Sequence, residues 1–357
     1  MQNSVDKIVE EIGLTFDDVL LIPNYTEVKR EDIDVSIDLN EKIKLSIPLI
    51  SAPMDTVTTG DLAIVLAKLG GLGIIHRNMT VLEQVAEVEK VKTENLLAGA
   101  AVGVGDDLEE RVKELIGAGA DVIVVDSAHG FSKWVIEATE YISQKYKNIF
   151  LLSGSVATGA GAKALIEAGA DGLRVGMGPG SICSTRIVAG MGVPQITAVL
   201  NTFAVAKHYK IPVISDGGIR FSGDIVKAIS AGASAIMAGS LFAGCDETPG
   251  KVITKNDRKY KVYRGMGSVA AMKDGSAARY GQHYRVGQEK KLIAEGVEGL
   301  VPYKGALEEV VTQLVGGLRA GMYYAGVKNI QELQEKTRLM RITQASLTES
   351  HPHDIIV

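Results

Sequence analysis

The sequence predicts an α/β protein folded as one (β/α)8 TIM barrel over residues 1–357. Three observations lead there. Short, continuous apolar runs recur eight times between residues 48 and 240, as expected of parallel strands covered on both faces. The segments between them read as amphipathic helices. The GxGxxG dinucleotide fingerprint is missing from the first strand-to-helix turn, which disfavours the runner-up, a doubly wound open sheet.

Residues 1–45 precede the first strand. The strands read PLISA (48–52), LGIIH (72–76), LLAGAAV (96–102), DVIVVDS (121–127), IFLLSG (149–154), GLRVG (172–176), PVISDGG (212–218) and SAIMAGS (234–240). Helical stretches such as LEERVKELIGAGA and SGDIVKAISAGA end in Gly-Ala just before the next strand, a termination signal. Residues 246–300 are polar, charged and glycine-rich with few periodic apolar positions. A stretch that long without clear structure is functional or disordered. It follows the eighth strand and so emerges at the C-terminal face, where barrel active sites sit, and it reads as a mobile flap. LEEVVTQLVGGLRAGMYYAG (307–326) reads as a closing helix and TESHPHDIIV as a polar tail.

Composition is ordinary for a globular protein: 46% hydrophobic, 23% charged, net charge −5. Two cysteines, Cys183 and Cys245, build no disulfide framework. The opening MQNSVDKIVEEIG has no apolar signal core, and no apolar run is long enough to span a bilayer. A cytoplasmic protein without membrane or nucleic-acid partners is expected, since nucleic acid usually demands a basic patch.

Barrels often bind phosphate with the loops after strands seven and eight, here SDGGIRFSGD and MAGSLFAG. Gly217 and Gly218 let an anion approach the backbone; Gly239 and Ser240 add an amide and a hydroxyl, and Ser181 a third group. The alternative is that these glycines only permit tight turns. Asp216 suits a ribose diol or, equally, a turn. Cys183 lies in GPGSICSTR, three residues after Gly-Pro-Gly. A free cysteine is most often an inert buried hydrophobe, the reading for Cys245. Metal ligation is disfavoured because no CxxC or HxxxH partner exists. The glycine loop, with main-chain N–H groups that favour a thiolate, points Cys183 towards nucleophilic attack on a phosphate-tethered ligand. Tyr263, Gly265, Met266 and Gly267 suit the lining of a flat aromatic base, which Met54 would also touch. Arg279 and Tyr280 are polar neighbours in the flap, for which a solvated Arg and a half-buried Tyr is the bland alternative.

LTFDDVLLIPNY, PLISAPMDTVT, VDSAHG, VGMGPGSICSTRIVAGMGVPQITA, ISDGGIRFSGDIVKA, YRGMGS, ARY, AEGVEG and ESHPHDI together give a chain that resembles the inosine-5′-monophosphate (IMP) dehydrogenase family and its relative GMP reductase. The resemblance implies a barrel enzyme in which Cys183 attacks C2 of IMP, hydride leaves to NAD, and water releases xanthosine 5′-monophosphate. It implies that Arg279 is the base for hydrolysis, oriented by Tyr280, with Thr185 and Glu295 a second route to activated water. The substrate site carries over to Ser181, Asp216, Gly217, Gly218, Gly239, Ser240, Tyr263, Arg264, Gly265, Met266, Gly267 and Glu295. The cofactor site carries over to Asp126, Ser127, Ala128, Gly176, Met177 and Gly178, with Tyr324 reaching a neighbouring subunit near Ala128. The resemblance also implies K+ held by Gly178, Gly180 and Cys183 of one subunit and Glu349, Ser350 and His351 of another, hence a homotetramer. GMP reductase, which consumes GMP and NADPH, and an FMN-dependent barrel oxidoreductase are the alternatives. The chain departs from the family pattern at Ser155, Phe131, Tyr323 and Gly281, and between about residues 92 and 96 it leaves no room for the regulatory CBS modules that most members insert.

Overall fold

The computed structural model describes residues 7–287 and 289–352. Gln288 of the flap and the last residues of the tail lie outside the described residues. Eight parallel strands close into a barrel: β1 (Leu49–Ser51), β2 (Leu72–Ile75), β3 (Gly99–Val102), β4 (Val122–Asp126), β5 (Phe150–Val156), β6 (Gly172–Val175), β7 (Val213–Asp216) and β8 (Ala235–Ala238). Closure comes from β8 pairing with β1, Met237 opposite Ile50. Every strand is an apolar run because both of its faces are covered. Alternate residues go to two separate cores: Val122 and Val124 into the barrel interior with Ile50, Leu72 and Leu152, and Ile123 and Val125 under the surrounding helices. The interior core also takes Leu39, Ile43 and Leu45, from an antiparallel hairpin pairing Ile37 with Leu45.

The outer ring comprises α1 (Gly60–Lys68), α2 (Val81–Thr93), α3 (Leu108–Gly117), α4 (Lys133–Lys145), α5 (Gly159–Glu167), α6 (Gln195–Tyr209), α7 (Ser222–Ser230) and α8 (Leu307–Ala325). The Gly-Ala signal works as a Schellman ending. After α3, Gly119 at φ +94° donates to Ile116 O and Ala120 to Leu115 O; α5 and α7 end the same way at Gly169 and Gly232. A chain reversal at positive φ is open to glycine at little cost.

The segment after β8 is more regular than its sequence suggests. It forms a three-stranded antiparallel sheet of β9 (Ile253–Lys255), β10 (Arg258–Arg264) and β11 (Glu298–Pro302). Between β10 and β11 lie a short helix, Val269–Lys273, and a 3-10 turn, Ser276–Tyr280. The strands carry charge on their solvent side, Lys255, Arg258 and Lys259 being exposed, which hides them from a search for apolar runs. The leading and trailing segments are also structured: Val19–Leu21 pairs antiparallel with Leu339–Arg341, and a helix Gln344–Glu349 occupies part of the expected tail. Among the described residues no helix is long and apolar enough to cross a membrane.

Candidate active site

The C-terminal ends of the strands surround a cleft. Its lining takes Gly176, Met177, Gly178, Gly180, Ser181, Cys183 and Thr185 from the loop after β6, and Asp216, Gly217 and Gly218 from β7. Gly239 and Ser240 come from β8, Ser127 and Ala128 from β4, and Tyr263, Gly265, Met266, Gly267, Arg279, Tyr280 and Glu295 from the flap. Sequence positions scattered from 127 to 295 thus meet in one place.

The cysteine loop is fixed on both sides. Cys183 N–H donates to Gly180 O at 3.0 Å, and its thiol donates to Thr185 Oγ1 at 3.3 Å. The flap returns along it: Ser184 N–H donates to Glu295 O at 2.9 Å, and Val297 N–H to Ile182 O at 3.0 Å. The Arg186 guanidinium ties the loop down through Met177 O and Val193 O. Cys183 remains partly exposed, whereas Cys245 is buried and its thiol is pushed up to about 12 by that burial. Cys245 is therefore a protonated core group.

In the loop after β7, Gly217 and Gly218 take consecutive positive φ of 88° and 79°, open to glycine at little cost; Gly217 N–H donates to Met237 O at 3.4 Å, and Gly218 N–H finds no acceptor among the described residues. A Cβ on Gly239 would lie 2.7 Å from the Tyr263 hydroxyl and 2.8 Å from Met54 Sδ, so only glycine lets these three meet. Burial pushes the Tyr263 and Tyr280 phenols up, and both stay protonated. Tyr280 packs against Gly267, where a Cβ would lie 2.8 Å from its ring.

A charged clasp sits under the cleft. Asp126 is 1% exposed and pairs with Arg174 and Arg279, with Arg77 Nε 3.7 Å away. Arg174, equally buried, also reaches Asp216 at 3.2 Å. Burial alone would push the Asp126 carboxyl up; Arg279, Arg174 and Arg77 overcome it and hold it below the usual carboxylate range. Burial pushes Asp216 up against the pull of Arg174 and Arg279. The sequence reading missed Arg174 and Arg77. The available signal was a charged residue inside the apolar strand GLRVG, and an arginine just past the C-terminal end of β2.

A second, larger cleft of about 1400 Å3 adjoins the first, sharing Ser127, Ala128, Met177, Thr185, Arg279, Tyr280 and Glu295. Asp126 lines this one, with Arg77, His129 and Trp134. Its wall holds buried polar atoms with no hydrogen-bond partner among the described residues, Arg77 Nε, Asn78 Oδ1 and Arg279 Nε.

Five expected site residues line neither cleft. Arg264 turns away, its guanidinium gripping Asp55 with 2.7 Å and 3.1 Å contacts and Asp274 at 2.8 Å; it ties the flap to the loop after β1 instead of lining the pocket. Tyr324 lies on the outer face of α8, edge-on to Tyr323 and under Arg30. Glu349, Ser350 and His351 are exposed at the end of the last helix, and no hydrogen bond among the described residues ties them to the cysteine loop. Two departures have local reasons. Gly281 caps the 3-10 turn at φ +65° in open space, where a glycine costs least. Ser155 is buried and accepts from Arg174 Nε at 3.3 Å.

The chain matches the IMP dehydrogenase / GMP reductase domain family over residues 13–353. It is similar to inosine-5′-monophosphate dehydrogenases from Cryptosporidium parvum (48% identity, 96% of this chain and 95% of the relative), Borreliella burgdorferi (44%, 98% of each) and Aquifex aeolicus (42%, 98% and 97%). With this barrel and the cysteine loop at its mouth, the chain belongs to the IMP dehydrogenase / GMP reductase family.

Proposed function

We propose that the protein oxidises IMP to xanthosine 5′-monophosphate with NAD, through a covalent bond between Cys183 and C2 of the purine. The relatives' names support the substrate. The observation that carries the reading is the placement of Cys183 in one cleft with two glycine phosphate loops and Asp216. The free amides around Gly218 and Ser240 grip the 5′-phosphate, Asp216 takes the ribose hydroxyls, and Met54 and Tyr263–Gly267 bound the base. Cys183 Sγ bonds to C2 as the C2=N3 π bond opens and the thiol proton passes to N3, and the ring carbon becomes tetrahedral. Bound NAD would accept the hydride that C2 then expels, leaving a thioimidate on Cys183. Water adds to that carbon with Arg279 and Tyr280 at the cleft wall; Arg279, freed from Asp126 and in its neutral form, accepts the water's proton, and the C–S bond breaks to release product as that proton passes to the sulfur and regenerates the thiol.

The second cleft fits a dinucleotide: it is large, it adjoins Cys183's pocket, and its wall carries unpartnered polar atoms. Ser127, Ala128, Met177 and Asp126 would hold the cofactor. Both Asp126 oxygens are engaged here by arginines, so Arg279 must leave Asp126 before a ribose takes it. K+ fits the cysteine loop in part: the Gly178 and Cys183 carbonyls accept no hydrogen bond among the described residues, and Glu349, Ser350 and His351 would come from another subunit of a homotetramer. The short connection from α2, which ends at Thr93, to β3, which begins at Gly99, supports the reading of a chain without the regulatory CBS modules.

The test is a burst measurement with IMP, NAD and K+. Cys183→Ala abolishes NADH formation while retaining IMP binding. Arg279→Ala gives about one equivalent of NADH per site and then stalls, because a missing base slows hydrolysis by roughly 10²–10⁴. Equal slowing of both steps removes Arg279 from the base role. NADPH consumption with GMP, and no reaction with IMP and NAD, assigns the chain to the reductase branch of the family.

A further inference from the structure

The loop after β8 has a positive charge behind it that none of the roles above uses. Lys304 Nζ donates to Ser240 O at 3.0 Å and to Leu241 O at 2.8 Å. Lys304 is half-buried and, among the described residues, pairs with no carboxylate. Its backbone is fixed as well: Lys304 N–H donates to Gly244 O at 2.9 Å, and a Cβ on Gly244 would lie 2.2 Å from Pro302 O. The lysine and the loop therefore run in contact.

The direction of the peptide groups gives this contact a consequence. Phe242 and Ala243 spend their N–H groups on Gly239 O, each at 3.0 Å. Ser240 and Leu241 N–H find no acceptor among the described residues. In a planar trans peptide the C=O and N–H point in opposite directions, so the N–H of the Ser240–Leu241 peptide faces away from the ammonium group that holds its carbonyl. We propose that Lys304 is a positioning residue for the substrate's 5′-phosphate: bound to the Ser240 and Leu241 carbonyls, it fixes the loop whose Ser240 and Leu241 N–H groups meet the anion, polarises the Leu241 N–H through the peptide it shares with the Ser240 carbonyl, and supplies the countercharge behind them. This deepens the reading of the cleft as an IMP site and rests on it.

Lys261 provides the contrast. It is 2% exposed, and its ammonium group caps Cys245 O at 2.9 Å, Asp246 O at 3.3 Å and Thr248 O at 2.6 Å. None of those residues lines the cleft, so Lys261 serves the fold alone.

Titration calorimetry with IMP, inosine and inorganic phosphate, together with a melting temperature for each protein, tests the assignment. Lys304→Met and Lys304→Gln should each lose about tenfold in IMP affinity, as for a lost charge-assisted contact, with inosine affinity changed less than about twofold. Lys304→Arg should keep most of the IMP affinity. Lys261→Met should melt lower with its IMP-to-inosine ratio unchanged. The assignment is overturned if folded Lys304→Gln binds IMP as the parent does, if IMP and inosine weaken together, or if Lys261→Met shifts the ratio as much. Should the parent bind no IMP, the substrate reading falls, and Lys304 is then decided by whether its removal weakens inorganic phosphate.

Discussion

Arg174 is a cation inside a strand whose other residues are Gly172, Leu173 and Val175. It stays because two carboxylates, Asp126 and Asp216, share it, and the three together hold the ends of β4, β6 and β7 in one arrangement. Removing one member of such a set strands the others in a dry interior. Arg174→Met is expected to cost about 3–5 kcal/mol in urea unfolding and to weaken IMP binding, since Asp216 loses the partner that opposes its burial. His76 makes a second residue-scale prediction. It is 5% exposed, accepts the Asn78 N–H at 3.1 Å on Nδ1, and burial lowers it to about 4 despite nearby Asp55. Its ordinary value is 6.5. The unfolded chain therefore takes up a proton that the folded chain refuses as pH falls from 6.5 towards 4. Stability is complete above that window and falls by roughly 3 kcal/mol across it, at about 1.4 kcal/mol per pH unit. In His76→Gln the urea midpoint should be less steep over the same range; an unchanged slope would mean that other groups govern the acid limb.

Element boundaries were legible where a single residue type does the terminating. The Gly-Ala ends of α3, α5 and α7 could be read directly because the chain reverses at positive φ there and glycine tolerates that conformation. Two glycines of α3 make the point testable. Gly119, at φ +94°, would meet only the flexible Lys92 side chain if given a Cβ, so Gly119→Ala suffers backbone strain alone, about 1–2 kcal/mol. Gly117 is the exposed last residue of the helix with nothing near its Cβ position, so Gly117→Ala should stabilise by about 0.5 kcal/mol. Thermal unfolding of the two variants should move in opposite directions. The flap sheet was illegible for the complementary reason. Its outer strands bury little, its central strand buries Lys261 and Tyr263, and the sheet is held by backbone pairing, Lys261 opposite Val301 and Tyr263 opposite Gly299, a long-range fact with no local apolar signature.

At the scale of the molecule, the barrel was legible because closing eight strands requires each to be apolar on both faces, and that requirement is written in eight runs. The pocket was legible as glycine loops at strand ends, since those loops are what the chain clears around a ligand. The clasp was not, because Arg279 and Asp126 are 153 residues apart and only the closed barrel brings them together. Nor can one chain reveal what a second would add. Ile187, Val188 and Met191 lie just beyond the cysteine loop, and Ile187 is 89% exposed, an apolar surface that single chains seldom leave uncovered. Among the described residues no hydrogen bond joins Glu349, Ser350 and His351 to their own chain's Gly178–Cys183. If another copy supplies them, the defects of two variants lie in different active sites. Glu349→Ala then lowers K+-dependent activity although its own Cys183 is intact, and Cys183→Ala is inactive although its Glu349 is intact. Co-expressed, the two should form mixed assemblies in which some cysteine loops face an intact Glu349. Activity should exceed the sum of the separately purified variants and stay dependent on K+. Activity equal to that sum, in assemblies shown by mass to contain both chains, would place the cation's ligands within one subunit.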